Sequence, residues 1–253
     1  MNLPGTTSSL RRGTPRAAPA HAGQADAHSD VSRLFDASAA LYDRLNRVMS
    51  LGMGERYRGE VLARAGLAPG MTVLDVGSGT GVISAHAQRM VGPAGRVIAL
   101  DPSHGMLEIA HRERGLETLQ ATAEHIPLPD HSVDFLVMGY ALRHLAQYGP
   151  AFAEFARVLR PGGRLLMLEL VPPPGRFTRW AFNQYLRGII PWLTTLGRRE
   201  RATARRLMDY TWVTIVRAAP PPQTLEALRE AGFTDTAFRA FGQVLGEYMA
   251  RRP

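Results

Sequence analysis

The residues with the clearest chemical capacity lie between Asp75 and Gly81, where Asp75-Val-Gly77-Ser78-Gly79-Thr-Gly81 completes the apolar run TVLDV. Glycines at alternate positions strip side chains from a strand-to-helix turn, so a ligand can lie against bare backbone N–H groups. The spacing discriminates among ligands. A dinucleotide fingerprint places its third small residue at position 82, where Val82 stands, and a phosphate-cradling loop carries a lysine, which is absent. Twenty residues past Gly81 the run RVIAL ends in Asp101, an acid placed to accept both hydroxyls of a ribose or to cap the next helix. A third group, Arg143-His144, follows the run VDFLVM and joins a fixed cation to a side chain that titrates near neutrality.

Composition removes several other chemistries. The 253 residues include 30 cations, all of them Arg, against 22 acids, a formal net charge of +8. With no Lys there is no P-loop lysine, no Schiff base and no lysine general base. With no Cys there are no disulfides, thiolate nucleophiles, Cys-ligated zinc sites or iron–sulfur clusters. Histidine, carboxylates, hydroxyls and arginine remain.

These residues need elements that bring them to one place. Between Met71 and Leu170, the short runs TVLDV, RVIAL, VDFLVM and RLLMLEL alternate with the helical patterns VISAHAQRMV, HGMLEIAHRE and YGPAFAEFARVL. That alternation predicts a doubly wound α/β core with a mostly parallel sheet, whose carboxyl end gathers all three groups. A helix over Gln223–Ala231 and the strands TAFRAF and QVLGEYM, joined at Gly242, are expected to add an antiparallel hairpin at the sheet edge. Residues 1–30, rich in Ala, Gly, Pro, Ser and Thr, read as a disordered tail. The rest reads as one domain: cap helices over 31–60, the core over 61–170, a helical insertion over 171–219, and a terminal helix and strands over 220–253. No apolar run is long enough to span a bilayer, so a cytoplasmic chain, open to peripheral membrane contact, is expected.

The Asp-x-Gly-x-Gly-x-Gly pattern with Asp101 resembles the signature of class I methyltransferases that use S-adenosyl-L-methionine. Ala123-Glu-His-Ile-Pro-Leu-Pro129, Ser132-Val-Asp-Phe-Leu-Val137 and Arg157-Val-Leu-Arg-Pro-Gly-Gly-Arg164 resemble the same superfamily, so the likeness runs for about 100 residues in register. It implies a Rossmann-like, seven-stranded sheet and a donor held by Asp75, Gly77, Ser78, Gly79, Gly81 and Asp101. Thr122, Ala123 and Glu124 fall on its adenine side, Thr122 standing where the family often has Asp or Asn. Met106 matches the apolar residue over the adenine ring, and reads equally as a core methionine.

Two further segments, Phe35-Asp-x-x-Ala-x-x-Tyr42-Asp43-x-x-Asn46-x-x-Met49-Ser50-x-Gly52 and Gly139-Tyr-Ala-Leu-Arg-His144, look like the ubiquinone/menaquinone C-methyltransferases, which alkylate a ring carbon of a polyprenyl quinol. The sequence departs from that family at Gly54 and Tyr57, where it has His and Trp, and at His144, where it has Asn. It departs again over 204–212 and 242–248. The donor half fits closely and the acceptor half loosely, which favours a relative with an altered acceptor. N-methylation of phosphatidylethanolamine and O- or C-methylation of a small secondary metabolite are alternative chemistries on the same fold. A non-catalytic scaffold has no need of all three glycines and Asp101.

The resemblance implies methyl transfer by in-line displacement without a metal. Ring-carbon attack needs the acceptor phenol to lose its proton. Arg143 is expected to stabilise the phenolate or polarise a water, and His144 to be the base; a structural ion pair and a packed neutral histidine are the other readings. Tyr140 completes the catalytic group, with Tyr42, Asp43 and Asn46 lining the acceptor pocket. From Arg176 to Asp209 eight arginines face two acids among Phe177, Trp180, Phe182, Tyr185 and Trp192. That mixture suits an anionic membrane, single-stranded nucleic acid or a solvated face. With no stacking platform in the sequence, a small-molecule or lipidic acceptor and a membrane are the expected partners, a homodimer stays open, and nucleic acid is not expected.

Overall fold

The computed structural model describes residues 43–45, 48, 54–195 and 197–253. Helix α1 (Gly54–Arg64) leads into an alternating core: β1 (Thr72–Val76), α2 (Val82–Val91), β2 (Arg96–Asp101), α3 (His104–Arg114), β3 (Glu117–Gln120) and β4 (Val133–Gly139). A short 3₁₀ turn (Leu142–His144), α4 (Tyr148–Val158) and β5 (Leu159–Leu170) follow. The insertion is α5 (Arg176–Gln184), a π turn (Tyr185–Ile189), α6 (Ile190–Thr194) and α7 (Arg198–Arg217). Helix α8 (Pro221–Glu230) and strands β6 (Thr234–Phe241) and β7 (Leu245–Arg251) close the chain.

The seven strands run in the order β3-β2-β1-β4-β5-β7-β6. All neighbours are parallel except β5 with β7 and β7 with β6, so the expected antiparallel hairpin sits at one edge. Chain order reverses between β1 and β4, the position where open α/β sheets leave a crevice for ligands. Strand pleating sorts the core into two layers. Leu74, Val76, Ile98, Leu100, Leu136 and Met138 pack under α4 and α8 through Phe152, Phe155 and Leu228. Their sequence neighbours Val73, Val97, Phe135 and Val137 face α1 and α2 through Val61, Leu62, Ile83 and Ala87. A third cluster belongs to the insertion: Leu186, Ile190, Ala204, Leu207, Met208 and Ile215 pack with Leu45 and with Leu170 at the end of β5.

β3 is the strand that the apolar runs do not foretell, because it has four residues and is half-exposed at the sheet edge. Helix α8 starts at Pro221 rather than Gln223, since a proline in the first turn has no N–H that the helix could use. The expected tail over 1–30, and Tyr42 and Asn46, lie outside the described residues. Among the described residues no helix is long and apolar enough to cross a membrane.

Candidate functional site

The Gly-rich turn is built from left-handed backbone: Gly77, Gly79 and Gly81 have φ of 67°, 57° and 80°. Gly77 is also a contact requirement, since a Cβ there would meet the Ala141 side chain at 2.5 Å, so the turns after β1 and β4 touch at the crevice. Asp101 holds the loop in shape. Its Oδ2 accepts from Gly79 N at 2.8 Å and its Oδ1 from Ser103 N at 2.8 Å, while Ser103 caps α3 by accepting from Met106 N. The carboxylate therefore organises the loop, one oxygen on each side of the turn. Asp75 is 1% exposed, and burial pushes its carboxyl up to about 7 against the lowering effect of Ser84, with Asp101 raising it further. Ser84 Oγ donates to Asp75 Oδ2 at 2.6 Å, while Asp75 Oδ1 and Ser78 Oγ are buried with no partner.

Those orphaned oxygens and the glycine-walled turn fit a ligand that brings hydrogen-bond donors, including an ammonium, to bare backbone. S-adenosylmethionine is such a ligand, and Asp75, Ser78, the three glycines and Asp101 are the residues that would hold it. Ala121 N bonds to Asp101 O at 3.3 Å, which brings the 122–124 segment beside the carboxyl end of β2. There Thr122 bridges to His125, Ala123 is buried and Glu124 is half-buried. Met106 is 1% exposed, at the start of α3.

The turn after β4 is rigid for a different reason. Tyr140 has φ of 60°, which costs a non-glycine residue on the order of 1 kcal/mol and persists only where its surroundings fix it. Its N–H donates to Leu168 O at 2.7 Å, and its carbonyl accepts from Arg143 Nη1 at 2.6 Å. Arg143 Nη1 also lies 2.5 Å from Glu169 Oε1, and Arg143 N donates to Glu169 Oε2 at 2.9 Å. This is a buried ion pair: the two side chains are 5% and 3% exposed. Arg143 Nε reaches Thr214 Oγ1 on α7 at 3.2 Å, so the guanidinium expected to face an acceptor oxygen is shared among three protein groups. His144 Nδ1 is 2.8 Å from Tyr210 Oη, with the two rings stacked 5.3 Å apart. Burial and then the neighbouring Arg143 hold the imidazole well below its usual pKa, so it is neutral at pH 7.

Asp43, read as an acceptor ligand, bonds to the glycine turn and to α3. It accepts from Thr80 Oγ1, between two of the glycines, and from Arg114 Nη2 at the end of α3, each at 2.5 Å. Glu169, Tyr210, Thr214 and Arg114 are site residues that sequence reasoning did not single out. Glu169 alone left a signal there, as an acid inside the otherwise apolar LLMLEL. Tyr210 and Thr214 lie in a polar helix where nothing distinguishes them from solvated neighbours.

Comparison with known proteins agrees with this geometry. The chain matches the ubiE/COQ5 methyltransferase family over residues 23–247. It is 37% identical to a demethylmenaquinone methyltransferase of Symbiobacterium thermophilum over 221 residues, 83% of this chain and 86% of that one. It is 32% identical to the ubiquinone/menaquinone biosynthesis C-methyltransferase UbiE of Hahella chejuensis, over 80% of this chain and 82% of that one. Among solved structures, an S-adenosylmethionine-dependent methyltransferase from Aquifex aeolicus superposes with a TM-score of 0.58 at 23% identity, covering 78% of this chain and 89% of that one, a likeness of fold. A glycine turn shaped for the donor and a match along nearly the whole described chain lead to one assignment: this protein belongs to the ubiE/COQ5 methyltransferase family and is an S-adenosylmethionine-dependent methyltransferase.

Proposed function

We propose that the protein methylates a ring carbon of a demethylated polyprenyl hydroquinone, a reaction of menaquinone- or ubiquinone-type quinone synthesis. The observation that carries this reading is the 32–37% identity, over about four fifths of the chain, to relatives named for that chemistry. Bound S-adenosylmethionine supplies a methyl group already activated by its sulfonium, so the chain's own residues have to align the acceptor, exclude water and manage one proton. The acceptor site in this reading is the crevice between the Gly-rich turn and the 140–144 turn, roofed by α7. His144 takes the acceptor proton, directly or through the Tyr210 hydroxyl bonded to Nδ1, because a neutral imidazole has the lone pair that its buried cation would lack. Arg143 is a positioning residue that, locked to Glu169, holds Tyr140 and His144 at fixed height above β4, with part of its charge left for a developing phenolate. Tyr140 lines the acceptor side. An acceptor with a prenyl tail dissolves in lipid, so the enzyme works at a membrane surface.

The test is methyl transfer from labelled donor to short-chain demethylmenaquinol, 2-demethyl ubiquinol precursors, simple phenols and phosphatidylethanolamine, with products located by mass spectrometry and proton NMR. A new ring-carbon methyl on a quinol is the expected result. Label only on oxygen, on nitrogen or on the phospholipid overturns the reading.

A further inference from the structure

Residues 176–194 form one nearly continuous rod, because helical backbone runs from α5 through the π turn into α6. Nineteen residues at 1.5 Å per residue give it a length of roughly 28 Å. Its inner line, Phe182, Tyr185, Leu186, Ile190 and Thr194, packs on the insertion's core or is buried. Its outer surface carries large apolar side chains toward both ends, where a solvated helix would be polar, with exposed Gln184, Arg187 and Gly188 between them. Phe177 is 75% exposed, Trp180 58%, Ile189 48%, Trp192 66% and Leu193 53%, and the Phe177 and Trp180 rings lie 5.8 Å apart in open contact. Five large apolar side chains exposed on one rod mark an interaction surface.

Charge identifies what it meets. From Arg176 to Arg199 the sequence carries five arginines and no acid. Exposed Arg176 and Arg179 stand on α5 among the aromatics. Beside the rod, an open cleft of about 310 Å³ is lined by Asn183, Gln184, Arg187, Gly188, Arg205 and Asp209. Arg187 pairs with Asp209, and Arg205 leaves the cleft with one cation in excess. Tryptophan and phenylalanine beside arginine, with no acid in the run, are the pattern of a helix lying in the headgroup layer of an anionic bilayer.

We propose that the outer face of the 176–194 rod is a docking surface for an anionic phospholipid membrane, with Phe177, Trp180, Ile189, Trp192 and Leu193 inserted at the acyl boundary. Arg176 and Arg179 meet lipid phosphates, and the cleft seats a headgroup. The rod packs on α7, which carries Tyr210 and Thr214 over the 140–144 turn, so docking sets the roof of the acceptor site at the lipid. The inference rests on the proposed quinol chemistry only for the reason the enzyme visits lipid. Vesicle binding is read without any acceptor, so the two fail separately.

The experiment uses the full chain and vesicles of phosphatidylglycerol with phosphatidylcholine, or of phosphatidylcholine alone. The parent is expected to sediment with the mixed vesicles, less so as salt rises, and weakly with the neutral ones. Its tryptophan emission should shift to the blue and become quenchable by brominated lipid, since Trp180 and Trp192 are exposed. Arg176→Gln with Arg179→Gln should weaken partition about thirtyfold. Phe177→Ser with Trp180→Ser and Trp192→Ser should abolish it, while S-adenosylhomocysteine still raises the melting temperature of both variants. Equal sedimentation of parent and triple variant overturns the proposal, as does an unshifted tryptophan spectrum. It is overturned too if the parent binds single-stranded DNA in place of vesicles, or if it self-associates in buffer through a contact that the triple variant removes.

Discussion

Asp75 and His144 are buried ionisable groups pushed in opposite directions, and pH tells them apart. Burial lifts the Asp75 carboxyl to about 7 from 3.8, so the ligand-free fold keeps a proton that the unfolded chain gives up near pH 4. Its contribution to stability is therefore whole below pH 4 and lost as pH rises to about 7. His144 lies well below its ordinary 6.5, so its contribution is whole above that pH and is lost as pH falls. The two offset one another between about pH 4 and 6.5, and single variants uncover them. Asp75→Asn should remove the loss toward neutrality, and His144→Gln the loss on acidification, in ligand-free denaturation midpoints measured across pH. A parent-like profile in Asp75→Asn contradicts the buried carboxyl. If Asp75 meets the ligand's ammonium, which favours the ionised carboxylate, affinity for S-adenosylhomocysteine should also rise with pH through about 7 in the parent and lose that dependence in Asp75→Asn. Asp75 was legible because its partners stand within nine residues, inside one strand-turn-helix pattern. Arg143 was legible as a residue and not as a partner: Glu169 is 26 positions away, and Tyr210 is 66 from His144, distances at which spacing carries no information.

At the scale of elements, Asp43 ties the segment before α1 to the donor loop through Thr80 and to α3 through Arg114. Its side chain is 24% exposed and that of Arg114 21%, so solvent screens the pair only in part. Asp43→Asn should therefore raise the dissociation constant for S-adenosylhomocysteine about fivefold, the equivalent of roughly 1 kcal/mol, by loosening the clasp on the glycine turn. Had Asp43 been an acceptor ligand, the same change would raise the acceptor KM and leave donor binding untouched, so calorimetry beside steady-state kinetics decides between them. The elements of the core were readable from period and punctuation: TVLDV and VISAHAQRMV coincide with β1 and α2, and glycine or proline bounds most of the others. The exceptions are instructive. β3 lacks a buried run, and the π turn leaves no mark in the sequence.

Across the whole molecule, alternating strand and helix patterns implied a doubly wound sheet, and the position of the last strand shows what that pattern leaves open. β7 lies inside the sheet, between β5 and β6, so the C-terminal segment is held on both edges by antiparallel ladders that pair Leu165 with Ala250 and Phe241 with Leu245. It carries Glu247, whose carboxyl group is fully buried. Arg64, at the end of α1, donates to both Glu247 oxygens at 2.7 and 2.9 Å, and Tyr57 Oη donates to Oε1 at 3.0 Å while its ring packs on Phe241. Helix α1 and strand β7 are thus pinned through one carboxylate by residues 183 positions apart in sequence. Removing its cation strands a buried charge, which in a closed interior costs 3 kcal/mol or more. Arg64 is 37% exposed and Tyr57 still donates, so Arg64→Ala should destabilise the fold by about 2 kcal/mol. Glu247→Leu added to Arg64→Ala should restore most of that loss, because an apolar side chain between β5 and β6 needs no counter-ion. Urea denaturation of the four members of the cycle measures the coupling, and simple additivity of the two changes would show that the carboxylate braces nothing.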